Sequence, residues 1–268
     1  MDKIMEKISI ISLIYQSTEF AQAQYDNIRK WTPELETGEA EFFFVANDAT
    51  DEVKKYLIDN NIPHVVNDNP RYSDEESYKM GFAFPEWIQR VYRGYNHGIK
   101  ESNNPITLLI NSDMFFSPGW LKNLKAKLTY KHAVTPKVIQ PKDFKNPINQ
   151  THCVNYHCGN SIAQYNEVKF FAKANQISED SISPGNLFMP IMMYKSNLEL
   201  IGYYPNGNVL HRKHGNDSVY NATLYKDVLH FGDVFLIKKL NLIGVEHVTV
   251  NNSIIYHFDR GEILNKVK

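Results

Sequence analysis

One stretch of this chain runs from an apolar strand straight into polar side chains: Ile106 to Ile110, then Asn111-Ser112-Asp113, then Phe115-Phe116-Ser117-Pro118-Gly119-Trp120-Leu121. A carboxylate at the carboxyl end of a buried strand lies at the crevice where open α/β sheets bind ligands. A hard divalent cation that bridges two phosphates takes oxygen ligands of this kind. The same residues also suit a strand-ending turn, in which Asn, Ser and Asp side chains satisfy backbone groups. Spacing alone leaves both readings open. A second cluster, His152-Cys153 followed by His157-Cys158, has the ligand types of a zinc site but not the usual order of a zinc module, and is set aside.

The elements that must position Asp113 are legible from the apolar pattern. Lys7 to Tyr15, Glu41 to Ala46, Pro63 to Asn67 and Ile106 to Ile110 read as buried strands. Between them, Phe20 to Trp31, Asp51 to Asn60 with Thr50 as N-cap, and Pro85 to Lys100 read as helices. Strands that alternate with helices imply a mostly parallel sheet covered on both faces. After Trp120 the spacing predicts a helix over Leu121 to Leu128, then irregular chain from Thr135 to Asn155 and from Gly185 to Tyr225. Periodicity returns with a helix over Gly232 to Leu242, closed by Gly244, and a strand from Glu246 to Ile255. The expectation is a single domain over 1–268, with a nucleotide-binding half to residue 120 and an acceptor-side half beyond it, the two sharing one sheet.

Bulk composition narrows the classes. The 268 residues are 43% hydrophobic and 22% charged, enough for a sizeable core. A net charge of -1 argues against nucleic acid as a partner, because phosphate neutralisation needs a basic field. The apolar runs Ile8 to Tyr15 and Leu187 to Tyr194 are too short for a membrane span or a signal segment, so a cytoplasmic protein with no transmembrane segment is the expectation.

Several motifs together resemble the family 2 glycosyltransferases, over most of the chain. Arg93, Asn96 and Gly98 lie on the helix before the Leu108-Leu109-Ile110 strand; Asn111-Ser112-Asp113 follows as a variant of the family's D-x-D motif, and Pro118-Gly119-Trp120-Leu121 after it. The resemblance implies a GT-A-type α/β fold, with an irregular acceptor-side C-terminal half, and metal-assisted transfer of a sugar from a nucleotide diphosphate sugar. It implies Mn²⁺ or Mg²⁺ on Asp113, with His257, in Tyr256-His257-Phe258, as a further ligand. It places nucleotide-sugar contacts at Tyr15, Gln16, Ser17, Arg93, Asn96, Asn111 and Ser112. In Asn47-Asp48-Ala49-Thr50-Asp51 it gives Asp48 the base N–H, a role suited to uracil or thymine, and a UDP-sugar is favoured. Helix capping is the other role open to Asp48 or Thr50.

In Gly232-Asp233-Val234-Phe235-Leu236 the resemblance makes Asp233 the general base of an inverting transfer, with Gly232 and Phe235 where the family carries further acids. A surface Asp favoured by a helix dipole is the alternative there. The acceptor is a glycan, a lipid-linked sugar or a protein. Arg212-Lys213-His214 could close over the diphosphate, and Trp87, Tyr203 and Tyr204 could stack on sugar rings. A retaining transferase of the same fold, and a sugar-binding scaffold that no longer catalyses, are the competing readings. A nucleotidyltransferase would want a glycine-rich basic loop after the first strand, where Tyr15 to Glu19 has neither glycine nor base. Dehydrogenase and P-loop readings lack their fingerprints.

Overall fold

The chain opens on β1 (Ile8–Ile14), α1 (Thr18–Trp31), β2 (Ala40–Asn47), α2 (Asp51–Asp59) and β3 (His64–Asn67). A short α3 (Asp74–Lys79) and β4 (Phe82–Ala83) lead into α4 (Glu86–Glu101) and β5 (Ile106–Asn111). These come from a computed structural model that describes residues 6–83, 86–141, 153–185, 189–210, 228–230 and 232–258. The expected strands and helices of this half are all present, with ends that move by a residue or two. Thr50 is the N-cap of α2, accepting from the Val53 amide, so the capping role at this turn falls to Thr50 and not to Asp48.

The second half contains β6 (Met114–Phe116), α5 (Trp120–Lys127), β7 (His132–Gln140), β8 (Cys153–Asn155), α6 (Glu167–Ile177) and β9 (Ile182–Pro184). It continues with β10 (Ile191–Tyr194), α7 (Lys195–Ile201), β11 (Asn208–Leu210), β12 (Val228–His230), α8 (Gly232–Leu242) and β13 (Glu246–His257). The stretch from Thr135, expected to be irregular, starts inside β7, and the stretch from Gly185 holds β10, α7 and β11. Pro136 hides β7 from sequence reading, because proline supplies no N–H to a ladder. The structure accommodates it with a register shift: β13 pairs Val250 with Pro136 and then Ile254 with Lys137. β13 also runs through His257, which therefore ends the strand instead of following it.

Among the described residues, ten strands form one sheet across both halves, in the order β3-β2-β1-β5-β10-β7-β13-β6, with β8 on β7 and β9 on β13. β3, β2, β1 and β5 are mutually parallel, and β7 is parallel to β13 and β8. β10 is the antiparallel link between the two groups. A three-stranded sheet, β12-β11-β4, stands beside it.

Both faces of the central sheet are buried, which is why its strands lack alternation. Ile10, Phe44 and Leu108 belong to one core, with Phe20, Leu57, Trp120 and Phe170 from α1, α2, α5 and α6. Ile11, Val45 and Leu109 face the other, with Tyr95, Leu198 and Leu236 from α4, α7 and α8. Trp120 of the Pro-Gly-Trp-Leu motif is fully buried, stacks on Phe116 at 4.1 Å between centroids and donates to Thr32 Oγ1 at 3.1 Å. Gly98 serves the seating of α4: a Cβ there would come within 2.6 Å of Ile11 Cγ2 and 2.7 Å of Val45 Cγ2. Among the described residues, no helix is long and apolar enough to cross a membrane.

Candidate functional site

The carboxyl ends of β1, β2 and β5 lie side by side, since Ile14 pairs with Ala46 and Leu13 with Asn111. Beyond them opens a cavity of about 590 Å³, within the range that small-molecule sites occupy. β1 contributes Leu13 and Ile14 and continues into Tyr15 and Gln16; Asn47 and Asp48 come from the end of β2, and Asn111, Ser112 and Asp113 from the β5–β6 turn. His257 enters from the end of β13, while α4 supplies Trp87, Arg90, Val91 and Tyr95 as a wall. Eight of the residues singled out in the sequence therefore meet in one cavity: Tyr15, Gln16, Asp48, Trp87, Asn111, Ser112, Asp113 and His257.

One corner carries the metal-type donors. Asp113 is 7% exposed, and its Oδ1 lies 3.2 Å from His257 Nε2. The pairing of β13 with β6 makes this contact, with His257 opposite Met114 and the Phe258 amide donating to the Asp113 carbonyl at 3.0 Å. His257 Nδ1 faces Gln140 Oε1 at 3.3 Å. A ring that donates Nδ1–H to that oxygen presents the Nε2 lone pair beside Asp113. One carboxylate and one imidazole, both lining the cavity, are ligand types that a divalent cation would accept. The mixed set suits Mn²⁺ better than Mg²⁺, which prefers oxygen alone. Among the described residues no group of three His, Cys, Asp or Glu side chains could hold a metal by itself. Asn111 Oδ1 is held by the Tyr95 hydroxyl at 2.8 Å.

The opposite corner is a charged network around Asp48, which adopts a positive φ of 51°. Its Oδ1 accepts from the Asn69 amide at 2.8 Å, and its Oδ2 from Asn69 Nδ2 at 3.0 Å and Arg90 Nη1 at 3.1 Å. Burial works to raise its pKa, but the Asn69 amide, the Arg90 guanidinium, the Asn69 side chain and the nearby Arg71 charge together hold it below the usual carboxylate range. Arg90 is itself oriented by Glu86 Oε2, 2.9 Å from its Nε. Three of roughly four lone-pair directions on Asp48 are thus occupied, and Arg90 adds a guanidinium to the wall.

Arg90 is a residue that sequence reading passed over in favour of Arg93. The signal was available in helical spacing: Trp87, Val91 and Tyr95 recur every four residues, and Arg90 sits on the same face. Arg93 does not line the cavity; it bonds Asn69 Oδ1, the Pro70 carbonyl and Glu86 Oε1. Ser17 is the N-cap of α1, accepting from the Phe20 amide. Asn96 clamps the Tyr204 backbone, donating to its carbonyl and accepting from its amide, each at 3.0 Å. Tyr204 is 2% exposed and stacked among tyrosines, so it is closed to a sugar ring, whereas Trp87 is 54% exposed at the cavity mouth.

Asp233 begins α8 and does not line the cavity, although its influence reaches it. Burial holds its carboxyl above the ordinary value, against a hydrogen bond from Tyr92. Ionisation of Tyr95 is opposed first by burial, then by the charges of Asp233 and Asp113. Cys153 and Cys158 are buried thiols while His157 is exposed, and His152 lies outside the described residues. Arg212, Lys213 and His214 lie outside the described residues.

No family model matches the chain. No curated protein matches it in sequence either. Solved structures do match. A mannosyltransferase from Pyrobaculum calidifontis, PcManGT, in complex with GDP-Man and Mn²⁺, superposes on 96% of this chain at 12% identity and a TM-score of 0.55. GalNAc-T7 with UDP, GalNAc and Mn²⁺ matches over 96% at 10% identity and 0.55, and S. aureus TarS 1–349 in complex with UDP-GlcNAc over 95% at 14% and 0.52. The chain spans 58%, 44% and 61% of those three proteins. The fold is therefore the GT-A glycosyltransferase type.

Proposed function

We propose that this chain transfers a glycosyl group from a nucleoside diphosphate sugar to an acceptor hydroxyl, with inversion at the anomeric carbon. The observation that carries the reading is the meeting of Asp113 and His257 with Asp48 and Arg90 at the two ends of one cavity, on strand ends that come from distant parts of the chain. Neighbours of the same fold are complexed with GDP-Man, UDP or UDP-GlcNAc, two of them with Mn²⁺.

In this reading the base lies against Arg90 and Asp48. Arg90 donates to a ring carbonyl, and the remaining lone pair of Asp48 accepts the adjacent ring N–H. Uracil and guanine present that pair and cytosine does not; a UDP-sugar is the first choice. Trp87 and Tyr15, both exposed, flank the cavity as apolar faces. Asp113 and His257 would hold Mn²⁺ or Mg²⁺, which would neutralise charge on the departing diphosphate. Asp233 takes the proton of the acceptor hydroxyl as its oxygen forms a bond to the anomeric carbon. The bond from that carbon to the phosphate oxygen breaks, and the nucleoside diphosphate leaves with the electron pair. A desolvated carboxyl with a raised pKa is a stronger base than a solvated one.

A non-catalytic binding protein is the second reading, favoured by the position of Asp233 outside the cavity lining. Both are tested by melting the chain against UDP-, GDP- and dTDP-sugars with and without Mn²⁺. The transferase reading expects a rise that needs both metal and one donor, about 2.7 kcal/mol of added stability at a hundredfold excess over Kd. It also expects release of nucleotide, lost in Asp113→Ala and in Asp233→Asn with the fold retained. Binding without release in the wild type selects the second reading, and the absence of any shift rejects both.

A further inference from the structure

Around Asp233 the tyrosines of α4 and of the turn after α7 are packed in a definite order. A Cβ on Gly232 would come within 2.4 Å of Tyr92 Cε2 and 2.6 Å of its Cζ, so the Tyr92 ring fills the space beside the first turn of α8. That ring is buried and stacks on Tyr204, with centroids 5.4 Å apart and planes 13° from parallel. Tyr204 cannot drift, because Asn96 grips its backbone amide and carbonyl. Tyr95 packs against the same ring at 6.2 Å. The Tyr92 hydroxyl reaches the Gly232–Asp233 turn and the Asp233 carboxylate. From the other side, Asn208 Oδ1 accepts from the Gly232 amide at 3.0 Å, which holds the start of α8.

We propose that Tyr92, braced by Tyr204 and Asn96, is a positioning residue that aims the Asp233 carboxylate, a role that rests on the assignment of Asp233 as the base. A hydroxyl that donates to one carboxylate oxygen leaves the other for the acceptor proton and selects one rotamer. Rotamer choice matters here, since a misplacement of about 1 Å at a reacting group costs on the order of a hundredfold in rate. The small residue at position 232 acquires a reason: any side chain there displaces the ring that orients its neighbour. Asn96 then acts through the fold of the Tyr204 turn, without touching a nucleotide. The titratable groups that face Asp233 among the described residues are Tyr92 and Tyr95 from α4 and Tyr204 from the turn after α7.

The test is an NMR titration of the whole chain labelled with carboxyl-¹³C aspartate, with the Asp233 resonance assigned by its loss in Asp233→Asn. Tyr92→Phe keeps the ring and its stack and removes only the hydroxyl. The Asp233 midpoint is expected to rise by about one pH unit, because a hydrogen bond to the ionised form is gone. Asn96→Ala, which loosens the brace, is expected to move it the same way by less. In turnover with the nucleotide sugar selected by the melting panel, Tyr92→Phe is expected to lose about tenfold or more in kcat at unchanged KM. Wild-type nucleotide release by Asp233→Asn overturns the base assignment, and the proposal with it. Loss of release in Asp233→Asn together with an unmoved Asp233 midpoint in Tyr92→Phe overturns the proposal alone.

Discussion

Asp48 and Asp233 are both desolvated, yet their pKa values move in opposite directions, because among the described residues only Asp48 has cationic neighbours. Asp48 sits among Arg90, Arg71 and the Asn69 amide, which outweigh burial and keep it ionised. Asp233 has the Tyr92 hydroxyl and, among the described residues, no cation to offset its burial, so its proton is held more tightly in the folded chain than in the unfolded one. The sign for stability follows from linkage. The stabilising effect of the bound proton is fully present below the unfolded value and is lost as pH rises through the folded one. Asp233→Asn is therefore expected to melt higher than the wild type at pH 7, with the gap closing as pH falls towards 4. Melting curves across that range check it, and an unchanged or lower melting temperature at pH 7 contradicts the buried carboxylate. A gain in stability on removing a group required for turnover is the usual mark of a functional site.

At the scale of elements, α4 is the piece on which most of the site depends. One face carries Trp87, Arg90, Val91 and Tyr95 to the cavity; Tyr92 reaches α8, and Asn96 holds the Tyr204 turn. The helix can do this because Gly94 and Gly98 let it lie close on β1 and β2, with Asn47 and the stiff side chains of Ile11 and Val45 against its backbone. Gly98→Ala is expected to cost about 1–3 kcal/mol by overpacking, offset by about 1 kcal/mol of helix propensity, which leaves a net loss of up to about 2 kcal/mol. Urea denaturation measures it. A variant as stable as the wild type would mean that α4 can shift on the sheet without penalty. The same substitution is expected to weaken nucleotide binding, since the cavity wall moves with the helix.

The whole molecule contributes the meeting of its two halves. Asp48 and Arg90 belong to the parallel strands and helices of the first half, and His257 to the far end of β13, brought beside Asp113 by antiparallel pairing with β6. A donor bound with metal should therefore protect both regions at once. Amide exchange is expected to slow at Asn69 and at Phe258 when nucleotide sugar and Mn²⁺ are present together, and chiefly at Asn69 with nucleotide alone. Equal protection at both amides without metal would argue that His257 takes no part in holding the ion.

The sequence by itself determined the strand–helix order of the first half, the ends of most of its elements, and the segments from which Tyr15, Asp48 and Asp113 enter the cavity. Those are local properties: apolar runs buried on both faces, Thr50 as a cap, and polar residues where strands stop. It did not show β7, whose proline is tolerated only because β13 shifts register opposite it, or β10, whose four residues are too short to carry a period. It chose Arg93 where the cavity holds Arg90, a difference of one helix face that depends on how α4 rotates over the sheet. Only the tertiary structure decided that His257 lies 3.2 Å from Asp113, that Asp233 is desolvated beside Tyr92, and that Asn96 braces a turn. Each is a contact between segments far apart in the chain, set by sheet order and helix seating.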